Sequence, residues 1–181
     1  IGINAQEKDW ANLQRYAQQN AELPKPDKNE KRVVFMGNSI TEGWVNTHPD
    51  FFKSNGYIGR GIGGQTSYQF LVRFREDVIN LSPALVVINA ATNDIAENTG
   101  AYHEDRTFGN IVSMVELAKA NHIKVILTTT LPAAAFGWNP AIKDAPQKIA
   151  SLNARLKAYA QTNKIPFVDY YSRSEERRVG K

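Results

Sequence analysis

The sequence predicts a three-layer α/β/α domain on a doubly wound parallel sheet of about five strands. Three observations carry this. Short apolar runs rich in β-branched residues recur near 32–36, 57–61, 85–90, 123–129 and 165–169, with helical segments near 66–79, 107–121 and 146–162 between them. Strands that alternate with helices form a parallel sheet covered on both faces. Three of the runs end in Gly, Ser or Asn clusters, and the carboxyl ends of strands are where an open parallel sheet places its reactive groups. Finally, 181 residues with 42% hydrophobic content suffice for one buried core and one domain.

In chain order, residues 6–22 read as an amphipathic helix with Trp10, Leu13, Tyr16 and Ala17 at helical spacing. Pro24 and Pro26 stop it, and the polar stretch 23–30 reads as a connector. Val33-Val34-Phe35-Met36-Gly37 then runs into Asn38-Ser39-Ile40-Thr41, a strand passing abruptly into a helix start. That junction holds the Ser39 hydroxyl beside helix N–H groups that favour negative charge. The alternative role for Ser39 or Thr41 is simply to cap the helix. Gly61-Ile62-Gly63-Gly64-Gln65-Thr66-Ser67 follows the second run, and Ala91-Thr92-Asn93-Asp94 follows the third. A parallel sheet brings all three segments to one rim. There they offer an attacking hydroxyl, an approachable glycine N–H and a side-chain amide, the set that acyl transfer requires. The loop Leu131-Pro132-Ala133-Ala134-Ala135-Phe136-Gly137-Trp138-Asn139-Pro140 leaves the fourth strand at the same rim. Phe136 and Trp138 in it are candidate platforms for a sugar or acyl group, against the plainer role of covering the core edge.

Composition narrows the partners. The formal charge is +4, and the last nine residues hold four basic and two acidic side chains, so the remainder carries +2 and gives no nucleic-acid signal. No stretch approaches the ~18 apolar residues of a membrane-spanning helix. No signal-peptide pattern is read at the start, which opens on Ile1. With no cysteine there are no disulfides, thiolate metal sites or cysteine nucleophiles, while the compartment stays open.

In these blocks the chain resembles the SGNH (GDSL-type) hydrolases, whose fold is flavodoxin-like. The family's Gly-Asp-Ser block reads Gly37-Asn38-Ser39 here, continuing Ile40-Thr41-Glu42-Gly43-Trp44. Its oxyanion glycine maps onto Gly64, and its Gly-x-Asn-Asp block reads Ala91-Thr92-Asn93-Asp94, which gives Asn93 the role of oxyanion amide. The resemblance spans roughly 30–172 and implies catalytic Ser39, Gly64 and Asn93, with no metal and no organic cofactor. The implied partner is a small-molecule or carbohydrate ester, not a nucleic acid.

One block is missing. The family carries Asp-x-x-His near its C-terminus, where His is the general base. His48, His103 and His122 are preceded three residues earlier by Val45, Gly100 and Lys119, so none completes it. A serine hydroxyl without a base is a weak nucleophile. The stretch Arg173-Ser174-Glu175-Glu176-Arg177-Arg178-Val179-Gly180-Lys181 matches a translation of AGA TCG GAA GAG CGT CGT GTA GGG AAA, the start of a common sequencing adapter. The expectation is therefore an incomplete SGNH-like domain over 1–172 with a non-native tail over 173–181. The alternative is a charged, solvated tail. Loss of the family's C-terminal helix would leave Val33, Phe35, Ile165 and Phe167 on a partly bare sheet.

Three functions compete. The first is a serine esterase acting on small acyl groups, with O-acetyl carbohydrate ahead of lysophospholipase-like substrates. The second is dinucleotide binding, since Gly59-Arg60-Gly61-Ile62-Gly63-Gly64 satisfies Gly-x-Gly-x-x-Gly, although the acid required after the next strand is missing. The third is a non-catalytic carbohydrate-binding module on the same fold.

Overall fold

The computed structural model describes residues 8–170 and 172, so the stretch 173–181 lies outside the described residues. Five strands, β1 (Val33–Gly37), β2 (Tyr57–Gly61), β3 (Leu85–Ile88), β4 (Lys124–Thr128) and β5 (Phe167–Val168), form one all-parallel sheet in the order β2-β1-β3-β4-β5. The α/β class and the strand positions agree with the sequence reading. The order reverses at β1, which lies between β2 and β3, and the crevice at such a switch point is where open α/β sheets bind ligands.

Among the described residues seven α-helices accompany the strands: α1 (Ala17–Glu22), α2 (Ser39–Thr47), α3 (Pro49–Ser54), α4 (Ser67–Asp77), α5 (Thr92–Ile95), α6 (Glu104–Ala120) and α7 (Ala145–Thr162). The predicted helix over 6–22 is shorter than its periodicity suggested. Among the described residues of that range, 8–22, it comprises one 3₁₀ turn, Leu13–Arg15, and then α1. Asn12 sits at φ 54, and the Asp9 carboxylate takes up the Leu13 and Gln14 N–H groups. The Trp10 and Ala11 carbonyls accept from Gln69 and Gln65 of the main domain. These tertiary hydrogen bonds claim backbone groups that a continuous helix would need. Trp10 is 52% exposed as a result, and Ala11 is the residue that is buried.

Pleating sorts the strand residues onto two faces. Val34, Met36, Val86, Ile88, Val125 and Leu127 point one way and are sealed beneath α4, α6 and α7. Phe35, Val87 and Ile126, in register with one another, point the other way and are only half-buried. There α2 and α3 lie over β1 and β2, where Phe35 packs against Trp44, Phe52 and Tyr57 at ring-centroid distances of 5.5, 5.4 and 5.2 Å. Val33 and Phe167 are half-buried too, whereas Ile165 is buried, contrary to its expected exposure.

Candidate active site

Ser39 stands where β1 turns into α2. The buried Asn38 side chain accepts the Ile40 N–H at 3.1 Å, and its carbonyl accepts the Glu42 N–H at 3.0 Å. These two bonds fix the helix start and leave the Ser39 N–H without an acceptor among the described residues. The end of β2 lies directly against this turn. A Cβ placed on Gly61 would come within 2.5 Å of the Glu42 nitrogen and 2.7 Å of the Asn38 carbonyl oxygen, and one on Gly59 would collide with Val45. Helix packing therefore accounts for two glycines of the dinucleotide-like pattern.

The loop after β2 is pinned almost atom by atom. Ile62 N–H donates to the Gly37 carbonyl at 3.1 Å, Gly63 N–H to Glu42 Oε2 at 2.6 Å, and Thr66 N–H to Gln69 Oε1 at 3.0 Å. Gln65 N–H reaches the Ile62 carbonyl at 3.4 Å. The Gly64 carbonyl accepts from Asn98 Nδ2 at 2.9 Å, and the Gln65 carbonyl accepts from Asn93 Nδ2 at 2.9 Å. Of the amides from 62 to 66, Gly64 N–H is the one with no acceptor among the described residues. Gly64 adopts φ +77, a left-handed conformation that suits glycine. A Cβ on the neighbouring Gly63 would lie 3.6 Å from Ser39 Cβ, so loop and serine are adjacent.

Asn93 lies in α5, just beyond β3. Its amide uses one hydrogen on Gln65 and keeps a second. Ser39, Gly64 and Asn93 thus meet at one rim, at the β1 switch point. Behind them Asp94 is buried and accepts from Ser67 N–H at 2.7 Å, from the Ser67 hydroxyl and from Thr107 Oγ1 at 2.8 Å. Burial pushes its carboxyl above the usual carboxylate range, and these hydrogen bonds oppose the rise.

Three side chains that hold the loop carry no motif signature. Glu42 grips Gly63. Asn98 grips Gly64. Arg73, fully buried, donates to Gln65 Oε1 at 2.6 Å, to the Arg60 carbonyl at 2.7 Å and to the Gly37 carbonyl at 3.2 Å, and pairs with Asp77 at 3.0 Å. Burial lowers the Arg73 pKa, and the Asp77 charge works against that. One cue was present for Glu42, which lies three residues after Ser39 and so on the same helix face.

Among the described residues none of the three histidines is hydrogen-bonded to Ser39, Gly64 or Asn93. His48 terminates α2, nine helical residues and about 13 Å of axis from Ser39. His103 holds the N-cap position of α6 without a side-chain capping bond and lines a hollow with Trp10, Asp94, Tyr102 and Arg106. His122 lines a hollow with Leu85 and Lys124 at the strands' amino ends, away from the rim. Among the described residues, no side chain is hydrogen-bonded to Ser39 Oγ. The two candidate platforms separate: Phe136 is 2% exposed and belongs to the core, whereas Trp138 is 61% exposed.

The profile of the GDSL-like lipase/acylhydrolase family matches residues 35–180. The chain belongs to this family. Among solved structures it is similar to a Bacteroides fragilis protein designated an acylhydrolase. That match has 99% identity over 91% of this chain and 79% of the other, with a TM-score of 0.90. A GDSL-like lipase from Bacteroides thetaiotaomicron matches at 78% identity over 90% of this chain and 79% of that one, with a TM-score of 0.88. The lipoprotein YqeF of Bacillus subtilis is 32% identical over 117 residues, covering 55% of this chain. The chain spans about half (48%) of that curated relative's length. Among the described residues no helix is long and apolar enough to cross a membrane.

Proposed function

We propose that this GDSL-family chain carries the nucleophile and oxyanion site of a serine carboxylic-ester hydrolase that removes small acyl groups, with O-acetyl carbohydrate the favoured substrate. Ser39 Oγ attacks the ester carbonyl. The base takes the Ser39 hydroxyl proton, and the carbonyl oxygen becomes an oxyanion held by the Ser39 and Gly64 N–H groups and the Asn93 amide. The base returns that proton to the leaving alcohol as the tetrahedral intermediate collapses to an acyl-Ser39 ester. Water then hydrolyses this ester by the same route, releasing the free acid and restoring the Ser39 hydroxyl. Each donor of this kind is worth ~3–4 kcal/mol in the transition state. The observation that carries the reading is the unused Gly64 N–H, in a loop where every neighbouring amide is occupied, beside an equally unoccupied Ser39 N–H.

The base belongs to the family's Asp-x-x-His block, which these 181 residues do not contain. The experiment compares this chain with the product of its source gene read past Ser172 to a stop codon. The longer product should hydrolyse p-nitrophenyl acetate, and Ser39→Ala should reduce it to background. The 181-residue chain should fall short by about 10³-fold or more, because oxyanion and binding contributions alone remain. Full turnover by Ser39→Ala would sink the assignment. Sugar binding without hydrolysis by a longer product that also lacks Asp-x-x-His would favour the non-catalytic module.

A further inference from the structure

Trp138 is the most exposed large apolar side chain among the described residues, and it is not a loose one. Its Nε1–H donates to Asn98 Oδ1 at 2.8 Å, and the ring packs tilted against the buried Phe136, with centroids 5.2 Å apart and planes inclined by 44°. Asn98 in turn donates its amide to the Gly64 carbonyl at 2.9 Å, and its backbone N–H reaches the Asn93 carbonyl at 3.1 Å. A single residue therefore couples the indole to both non-serine members of the proposed oxyanion site, through its side chain to Gly64 and through its backbone to Asn93. A tight turn holds the loop itself, with Asn139 N–H donating to the Phe136 carbonyl at 3.1 Å and Asn139 Nδ2 to the Ala96 carbonyl at 2.9 Å.

From this geometry we infer that Trp138 is the stacking platform for the sugar ring that bears the scissile acyl group, and that Asn98 is the positioning residue that fixes it relative to Gly64. The inference rests on the esterase reading and names its substrate as an O-acylated pyranose. The indole N–H is already satisfied, so the surface left to a ligand is the ring face. That face suits the apolar C–H face of a pyranose. Because the ring is fixed before binding, little side-chain entropy remains to be lost. Its hydrogen-bond partner Asn98 and its chain neighbour Gly137 are exposed, as is Pro140 two residues on. These small and polar groups can meet sugar hydroxyls.

The test measures the dissociation constant of O-acetylated xylotriose by NMR titration against the 181-residue chain and its Trp138→Ala, Trp138→Phe and Asn98→Ala variants. Circular dichroism melts verify folding, which an exposed side chain should not disturb. Trp138→Ala is expected to weaken binding about tenfold, equivalent to 1.4 kcal/mol. Trp138→Phe should recover part of that loss, and Asn98→Ala should fall between the two. Binding by Trp138→Ala within twofold of the parent chain overturns the proposal, as does absence of binding by the parent chain. Tighter binding of a lysolipid than of the sugar, lost in Trp138→Ala, overturns the substrate class. The esterase reading is judged separately, by p-nitrophenyl acetate hydrolysis in the gene-extended chain and its Ser39→Ala variant. Loss of sugar binding in Trp138→Ala without such hydrolysis upholds the platform and removes the esterase.

Discussion

The two faces of the sheet are made of similar residues and end in different states. On one, Val34, Met36, Val86 and Ile88 are at most 1% exposed beneath α4, α6 and α7. On the other, Phe35, Val87 and Ile126 stay half-buried, and two hollows of about 320 and 590 Å³ open along it. One hollow is bordered by Phe35, Ile40, Trp44, Val87, Leu131 and Tyr170, immediately beside the Ser39 helix. The difference lies in the covering layer, since both faces present large apolar side chains. Stability is expected to concentrate on the sealed face, and adaptability on the open one.

The largest effect should come from the sealed side. Phe70 is fully buried in α4, and Phe70→Ala should cost about 4 kcal/mol in a urea melt, since the packed surroundings cannot collapse onto the vacated volume. A loss below about 1 kcal/mol would show that this face is looser than its burial indicates.

The adjacent pair Val86 and Val87 sharpens the contrast, because one truncation serves both faces. Val86→Ala should cost about 2 kcal/mol, two buried methyl groups plus a cavity, and Val87→Ala under about 1 kcal/mol. Equal losses would mean that the second face is as well packed as the first.

Asp94 extends the comparison to pH. Burial raises its folded pKa above the ordinary 3.8, so the native state binds this proton more tightly than the unfolded chain does. Its contribution to stability is complete below that ordinary value and is lost as pH rises through the raised folded value. The stability of the parent chain relative to Asp94→Asn should therefore increase on acidification from neutral pH toward pH 3.8. A pH-independent difference between their melts would show that the carboxyl is not perturbed in the native state.

The smallest effect concerns a backbone position. Ala91 sits at φ 89 immediately before α5, where the family carries glycine. Glycine would relieve ~1–2 kcal/mol of left-handed strain, offset by the loss of a buried methyl worth ~0.8 kcal/mol. Ala91→Gly should gain about 0.5 kcal/mol by urea melt. A destabilised variant would show that the methyl contact outweighs the strain.

The hydrophobic pattern located all five strands and the three long helices, because periodicity is a local property that burial enforces. It overextended the N-terminal helix, where Gln65 and Gln69 draw on backbone carbonyls from more than fifty residues away. It gave no sign of α5, a single turn that begins only after Ala91 enters a left-handed conformation. It also paired Phe136 with Trp138, which the turn at Asn139 separates into a core residue and an exposed one.

By itself the sequence determined the fold class, the family blocks and the three rim segments that hold Ser39, Gly64 and Asn93. Each of these is written in contiguous residues whose spacing sets local backbone shape. Only the tertiary structure decided which groups support them. Glu42 on Gly63, Asn98 between Gly64 and Trp138, and Arg73 spanning Gly37, Arg60 and Gln65 join residues distant along the chain. Such hydrogen bonds depend on where helices land on the sheet, and no short window of sequence encodes that placement.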